Sequence, residues 1–299
     1  MIDWLISLEG TDAGRSLALV LALQAAFLHA LFGALQKRVT DPWTARTVID
    51  ATYAAIALPL ALFAVPWPEP ELWPLFAIAW VIHVGYKVSQ AAAYTVGSYT
   101  VVYPVVRGTG PVFTVIGAGI LFGESFAALQ WLGVATLVTG IFGLATFNLR
   151  YLIAGRERLP LALGLAIMTG GFVALYTTWD AFVIRATENP FTFIAWFFLL
   201  DGLAFPVVYL VRKRGRLPRP FRPLAILGLQ GAVIAYFSFG GIMMATRLDK
   251  VGEAAVLRET SVVFSALLGW FLLGERTGPR RVALIILIAA GAVLVELGG

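Results

Sequence analysis

The chain has 299 residues, 60% of them hydrophobic and 13% charged, with a formal net charge of +5. No soluble domain of this size carries so much apolar surface and so little charge, so the composition indicates a polytopic membrane protein and excludes a soluble globular fold. The absence of cysteine excludes disulfides, thiolate metal sites and cysteine catalysis, and two isolated histidines cannot build a metal centre without many carboxylate partners.

Taken in order, Met1 to Ser16 combines Trp4, Leu5, Ile6 and Leu8 with Asp3, Glu9 and Asp12 and lacks both a basic n-region and a small-residue cleavage site. It is expected to form a short interfacial segment, not a signal peptide. Ten apolar segments follow: Leu17 to Leu35, Thr47 to Val65, Leu72 to Tyr94, Thr100 to Phe122, Ala127 to Phe147, Leu161 to Val183, Phe191 to Val211, Pro223 to Thr246, Gly252 to Leu273 and Val282 to Leu297. Proline and charge clusters such as Asp41-Pro42, Pro66-Trp-Pro68 and Asn189-Pro190 punctuate them. Apolar runs of about 20 residues select helices over tilted ten-residue strands, because backbone polar groups find no water in the bilayer. The predicted fold class is an all-α integral membrane protein with ten transmembrane helices.

The fourth and ninth segments carry one pattern twice. Arg107-Gly-Thr-Gly-Pro111-Val-Phe113 runs on to Gly123-Glu124, and Arg258-Glu-Thr-Ser261-Val-Val-Phe264 runs on to Gly274-Glu275. An offset of 151 residues separates Arg107 from Arg258, Thr109 from Thr260, Phe113 from Phe264, Glu124 from Glu275 and Gly140 from Gly291. Half a chain has been duplicated, giving an N-terminal interfacial segment (1–16), a first five-helix repeat (17–149), a connecting loop (150–160) and a second five-helix repeat (161–299). With an odd number of spans per copy, the second enters the membrane from the opposite side, the inverted 5+5 arrangement of transporters. Fifteen of the 22 basic residues fall in alternate connections, around 37–46, 150–158, 212–222 and 276–281. The positive-inside rule places those loops in the cytoplasm and both termini outside. Basic residues in short loops between spans set topology; they do not indicate nucleic-acid binding.

Lys87, Arg107 and Arg258 lie within spans, where a charge is costly and marks function. His83, Lys87, Gln90 and Tyr94 share one helical face with Tyr86 beside it, and Tyr99, Tyr103 and Arg107 share another. Such stripes either line a wet cavity or hold helices together. The sixth span offers Tyr176, Thr177, Trp179 and Asp180, the last as a structural ion pair or a proton-coupling carboxylate. Asp50, Asp201 and His29 also lie within spans, with nothing further to single them out. Pro104, Gly108, Gly110 and Pro111 predict a kinked or locally unwound fourth span, and Glu259, Thr260 and Ser261 a straighter ninth one that supplies polar side chains. Glu124 and Glu275 read as turn devices that favour the amides of the following helix. Gly119 and Gly123 allow close helix packing. Neither a G-x-x-x-x-G-K loop nor the usual hydrolase motifs occur, which argues against ATP-driven or enzymatic chemistry.

Val102-Tyr-Pro-Val-Val-Arg107-Gly-Thr-Gly-Pro111 through Gly123-Glu124, and Leu257-Arg258-Glu-Thr-Ser261 through Leu273-Gly-Glu275, resemble the paired EamA domains of the drug/metabolite transporter superfamily. The resemblance implies a bacterial inner-membrane carrier with a central cavity between the halves, exporting amino acids or related metabolites and sometimes drugs. It also implies that Tyr86 and Tyr103 line the cavity. Relatives place both termini in the cytoplasm, whereas the loop charges here place them outside, so the direction of transport stays open. The expected substrate site comprises His83, Tyr86, Lys87, Gln90, Tyr103, Arg107, Tyr176, Trp179, Asp180, Arg258 and Glu259. Arg107, Arg258 and Lys87 would engage a carboxylate or phosphate, the aromatic residues an apolar part, and Asp180 an amino group; an excess of buried cation over buried acid motivates this. No cofactor, metal or catalytic residue is expected, the partners are a small-molecule substrate and the bilayer, and one chain suffices although an oligomer is left open. The alternatives are a passive channel or facilitator, a drug or phosphorylated-metabolite carrier of the same fold, and a membrane scaffold or sensor without flux.

Overall fold

A computed structural model describes residues 2–36, 41–97, 99–150, 156–216, 218–273 and 278–299. Among them there is helix and no strand. A short α1 (Ile2–Ser7) precedes α2 (Asp12–Gln36), α3 (Pro42–Pro59), α4 (Trp73–Val96), α5 (Tyr99–Phe122) and α6 (Ala128–Arg150). The second half comprises α7 (Leu159–Ala186), α8 (Pro190–Arg212), α9 (Phe221–Leu248), α10 (Val251–Arg258), α11 (Ser261–Leu273) and α12 (Pro279–Leu297). A π-helical turn extends α3 over Leu60–Ala64.

The starts and stops follow from local chemistry. Asp41 caps α3 by accepting from the Trp43 amide at 3.2 Å, and Asn189 caps α8 through Phe191 N at 3.0 Å, each with proline at the first helical position. Gly123 ends α5 at φ +68°, a left-handed conformation open to a residue without a Cβ.

Among the described residues, eight helical stretches are long and apolar enough to cross a membrane unaided, from Asp12–Gly33 to Phe221–Leu248. The ninth expected span is divided between α10 and α11, and the tenth corresponds to α12. The surface is apolar: Phe63, Ile120 and Val211 are 85%, 83% and 76% exposed, while Asp50, Lys87, Arg107, Asp180, Asp201, Arg258 and Glu259 are buried. Charge inside and hydrocarbon outside is the distribution that lipid selects.

Helices of one half pack on helices of the other. α2 lies against α9, α3 against α8, α4 and α5 against α7, α5 against α10, and α6 against α12. The α6–α12 contact is close enough to need glycine: a Cβ on Gly291 would lie 2.5 Å from Leu137 N and 2.7 Å from Gly133 O. Backbone atoms cannot yield as side-chain ends can. Gly291→Leu is therefore expected to cost about 1–3 kcal/mol or more through overpacking, seen as a lower melting temperature of the detergent-purified protein. Gly164→Leu, with no atom within 4 Å of its added Cβ, is the control expected to melt like the parent.

Candidate functional site

The repeated arginine stretch becomes two different structures. α5 runs unbroken from Tyr99 to Phe122 despite Pro104 and Pro111, whereas its counterpart breaks between Arg258 and Ser261. This reverses the expectation of an unwound fourth span and a straighter ninth. The reason lies in Glu259-Thr260: their amides turn back to Val256 O at 3.0 Å and Leu257 O at 3.1 Å, and the Thr260 hydroxyl also bonds Leu257 O at 2.7 Å. Val262 N then bonds Glu259 O at 3.0 Å, so the Arg258 carbonyl loses its helical donor.

Arg107 takes up that carbonyl. Its Nη2 donates to Arg258 O at 3.1 Å and to Ser261 Oγ at 2.8 Å, and its Nε lies 2.6 Å from Glu259 Oε2. The two arginines that the duplication relates therefore meet, one through its side chain and the other through its backbone.

Lys87 is also fully engaged. Its ammonium donates to Asp50 Oδ2 at 2.6 Å, Asp201 Oδ2 at 2.7 Å, Tyr53 OH at 2.9 Å and Asp201 O at 3.1 Å, while Arg46 Nε stands 2.8 Å from Asp50 Oδ1. The network joins α3, α4 and α8. Asp50 and Asp201 were not singled out by their own helices, yet they too are 151 residues apart, so extending the repeat register along the chain would have found them. Counting them removes the expected excess of cation. Arg46, Lys87, Arg107 and Arg258 face Asp50, Asp180, Asp201 and Glu259, a balanced interior when the histidines are neutral.

The remaining expected residues gather around three adjoining cavities that share Phe239. The largest of the three, about 490 Å³ when space open to solvent is counted, as it is in each volume here, is lined by Tyr86, Gln90, Tyr103 and Arg107 together with His29 and Arg46. Gln90 donates to Tyr86 OH at 2.7 Å. The second, about 270 Å³, holds His83, Tyr53 and Asp201. The third, about 230 Å³, brings together Tyr176, Thr177, Asp180 and Arg258. His83 Nε2 lies 2.8 Å from Asp180 Oδ2, and the Arg258 guanidinium sits 5.7 Å from the centre of the Tyr176 ring. Asp180 Oδ1 and Arg258 Nε are buried without a hydrogen-bond partner among the described residues. Trp179 donates to Leu75 O at 3.0 Å and lines none of these cavities, nor do Lys87 and Glu259. Among the described residues no three metal-ligating side chains come together.

One end of the bundle is closed by charge. Arg247 bonds Glu9, Ile184 O and Thr187 O; Arg185 bonds Thr246 O and Asp249 O; Arg15 faces Asp249 and Glu253. Glu124 takes part here. Its carboxylate accepts from Val251 N at 2.7 Å and Gly252 N at 2.9 Å, so it caps α10 in the other half instead of α6, the next helix in the chain. Its counterpart Glu275 lies outside the described residues.

The family profile of the EamA-like transporter family matches residues 16–146 and again 160–297. A solved structure, described only as the crystal structure of a protein, superposes with a TM-score of 0.74 at 17% identity, covering 95% of this chain and 98% of that one. The likeness is one of fold. No curated protein matches the chain.

Removing one partner of a buried ion pair leaves the other charge stranded, which costs about 3–5 kcal/mol, whereas removing both costs less. Arg107→Gln and Glu259→Gln are each expected to lower the melting temperature in detergent, and the double variant is expected to melt above the Arg107→Gln single. Additive losses would show that the pair does not couple.

Proposed function

We propose that this chain, which belongs to the EamA-like transporter family, carries small zwitterionic metabolites, amino acids or related compounds, across a bacterial inner membrane through the cavities between its two repeats. The observation that carries this reading is the third cavity. Among the described residues Asp50, Asp201 and Glu259 each have a cation at bonding distance, with one Asp201 oxygen left over, whereas in the third cavity Asp180 keeps one free oxygen beside Arg258, which has a free donor and no carboxylate at bonding distance. A molecule with an ammonium and a carboxylate satisfies both and adds no net charge to a balanced interior, and net charge is what hydrocarbon penalises. Thr177, Tyr176 and Met243 supply the remaining hydroxyl and apolar surface. A phosphate ester or other anion would require an added positive charge. Arg107, Lys87 and Glu259 then support the site by holding helices, and Tyr86, Gln90 and Tyr103 line the approach to it.

The packing favours two inverted repeats of five spans, 17–149 and 161–299, with α10 and α11 together making one span. Under an offset of 151, α3–α8, α5–α10 and α6–α12 each pair a helix with its own counterpart, while α2–α9 exchanges with α4–α7. A two-fold axis along the helices would have little room to run between three such pairs at once. An axis lying across them, in the membrane plane, passes through all three at mid-depth. Loop charge then places the basic connections in the cytoplasm, both termini outside, and the charge-closed end at the outer face. An outer end closed in this way fits a carrier that takes its load from the cytoplasmic side, as an exporter does. A closed end is also what alternating access requires and a permanently open channel lacks.

In proteoliposomes loaded with unlabelled neutral amino acids, the protein is expected to drive counterflow accumulation of the labelled forms. Arg258→Ala and Asp180→Asn should each reduce the rate by about tenfold or more, since a buried charge-assisted bond is worth at least ~1.4 kcal/mol. Wild-type rates in both variants would refute the assigned site.

A further inference from the structure

Four residues of α9 line the third cavity: Phe239, Ile242, Met243 and Thr246. Spaced by three, one and three, they share one helical face that runs for about 10 Å at ~1.5 Å per residue. At the Thr246 end the cavity stops at charge. Arg185 Nε donates to Thr246 O at 2.9 Å, and the next residue, Arg247, is bonded to the carbonyls of Ile184 and Thr187. At the other end stands Phe239. Among the described lining residues, it is the single one that the third cavity shares with the largest cavity and the single one that it shares with the second. Its ring has a neighbour in each direction: the Tyr176 ring, in the wall of the third cavity, lies 6.3 Å away centre to centre, and the His29 ring, in the wall of the largest, lies 6.5 Å away.

We infer that Phe239 is the partition that sets which side chains the third cavity accepts; this rests on the zwitterion reading of that cavity. With the solute ammonium at Asp180 and its carboxylate at Arg258, the solute side chain lies among Tyr176, Ile242 and Met243, and its room ends at the phenyl ring. The volume of about 230 Å³, counted with open space, is below the roughly 300 Å³ at which sites for drug-sized ligands begin. A small side chain fits, and a large one has to displace the ring. The backbone beside it is pinned, because Ser238 donates to Ala25 O of α2 at 2.9 Å. The ring must therefore yield alone and lose its contacts with Tyr176 and His29, which disfavours a bulky solute by about tenfold or more.

The duplication sets this residue apart. Its counterpart 151 residues earlier is Val88, which packs in the separate cluster of Trp43, Ala91, Phe205 and Tyr209 and lines none of the three cavities. The partition belongs to one copy only, the copy that carries Asp180 and Arg258. Removing the ring joins the third cavity to the largest, where a long side chain finds space beside His29.

The test measures counterflow in proteoliposomes separately for alanine, leucine and phenylalanine, with the full chain as wild type, Phe239→Ala and Phe239→Leu. The wild type is expected to accumulate alanine faster than phenylalanine. Phe239→Ala should raise the ratio of the phenylalanine rate to the alanine rate by about tenfold, the relief of one overpacked ring, and Phe239→Leu should shift it the same way by less. The ratio is the readout because a loosened core lowers all three rates together. An unchanged ratio in both variants overturns the partition and leaves the zwitterion reading standing. A wild type that carries phenylalanine as fast as alanine does the same. Phe239→Leu, and failing that the wild-type ratio, decides if Phe239→Ala does not fold. Absence of counterflow for all three amino acids in the wild type overturns both.

Discussion

A peptide carbonyl without a donor costs several kcal/mol in hydrocarbon, and the break between α10 and α11 creates one at Arg258. Much of the interior can be traced to how that cost is met. The guanidinium of Arg107 reaches across from the first half to the freed carbonyl and to Ser261, and Glu259 neutralises it. α5 is thereby fixed to α10 at the very point where the chain is interrupted. The partial negative charge at the end of α10 and the added carboxylate both favour a cation there. Because Arg107 does this work, the side chain of Arg258 is left to face the cavity over Tyr176.

The same accounting of charge governs the rest of the buried polar groups. Lys87 satisfies two aspartates and a phenol at once, and Arg46 completes that cluster. A neutral network of this kind holds helices in register and leaves a solute only the second oxygen of Asp201. What distinguishes the third cavity is that it is incomplete on both signs of charge. Its charges have opposite sign and unused bonding capacity, whereas the charged closure at the far end is saturated by side chains and carbonyls.

Helical periodicity and the 151-residue offset made the helices and the duplication legible, and the cost of intramembrane charge marked Arg107, Arg258, Lys87 and Asp180. Partners were harder to read. A single helix shows which residues share its face but not which side chain arrives from a neighbour, so Lys87 resembled a free cation until Asp50 and Asp201 were seen on α3 and α8. The location of the break was misread because proline was given more weight than local hydrogen bonding. In α5 the prolines sit in a helix packed against α6, α7 and α10, and neighbours of that kind let a membrane helix continue through proline. In the second copy a glutamate and a threonine bend the backbone by offering it closer partners. Glu124 belonged with a helix end, but the end was 127 residues away, beyond any local pattern.

The shared lysine has a consequence for ancestry. Asp50 and Asp201 descend from one ancestral position, yet a single Lys87 serves both, and its own counterpart in the second copy is Ser238, which bonds Ala25 O. A dimer of two first halves would bring two lysines and two copies of Arg46 to two aspartates and crowd one cleft with cations. A dimer of two second halves would bring two aspartates together with no lysine at all. The halves are complementary in charge: the first supplies Arg46, Lys87 and Asp50 and the second Asp201, so the cluster is completed only when one of each is present.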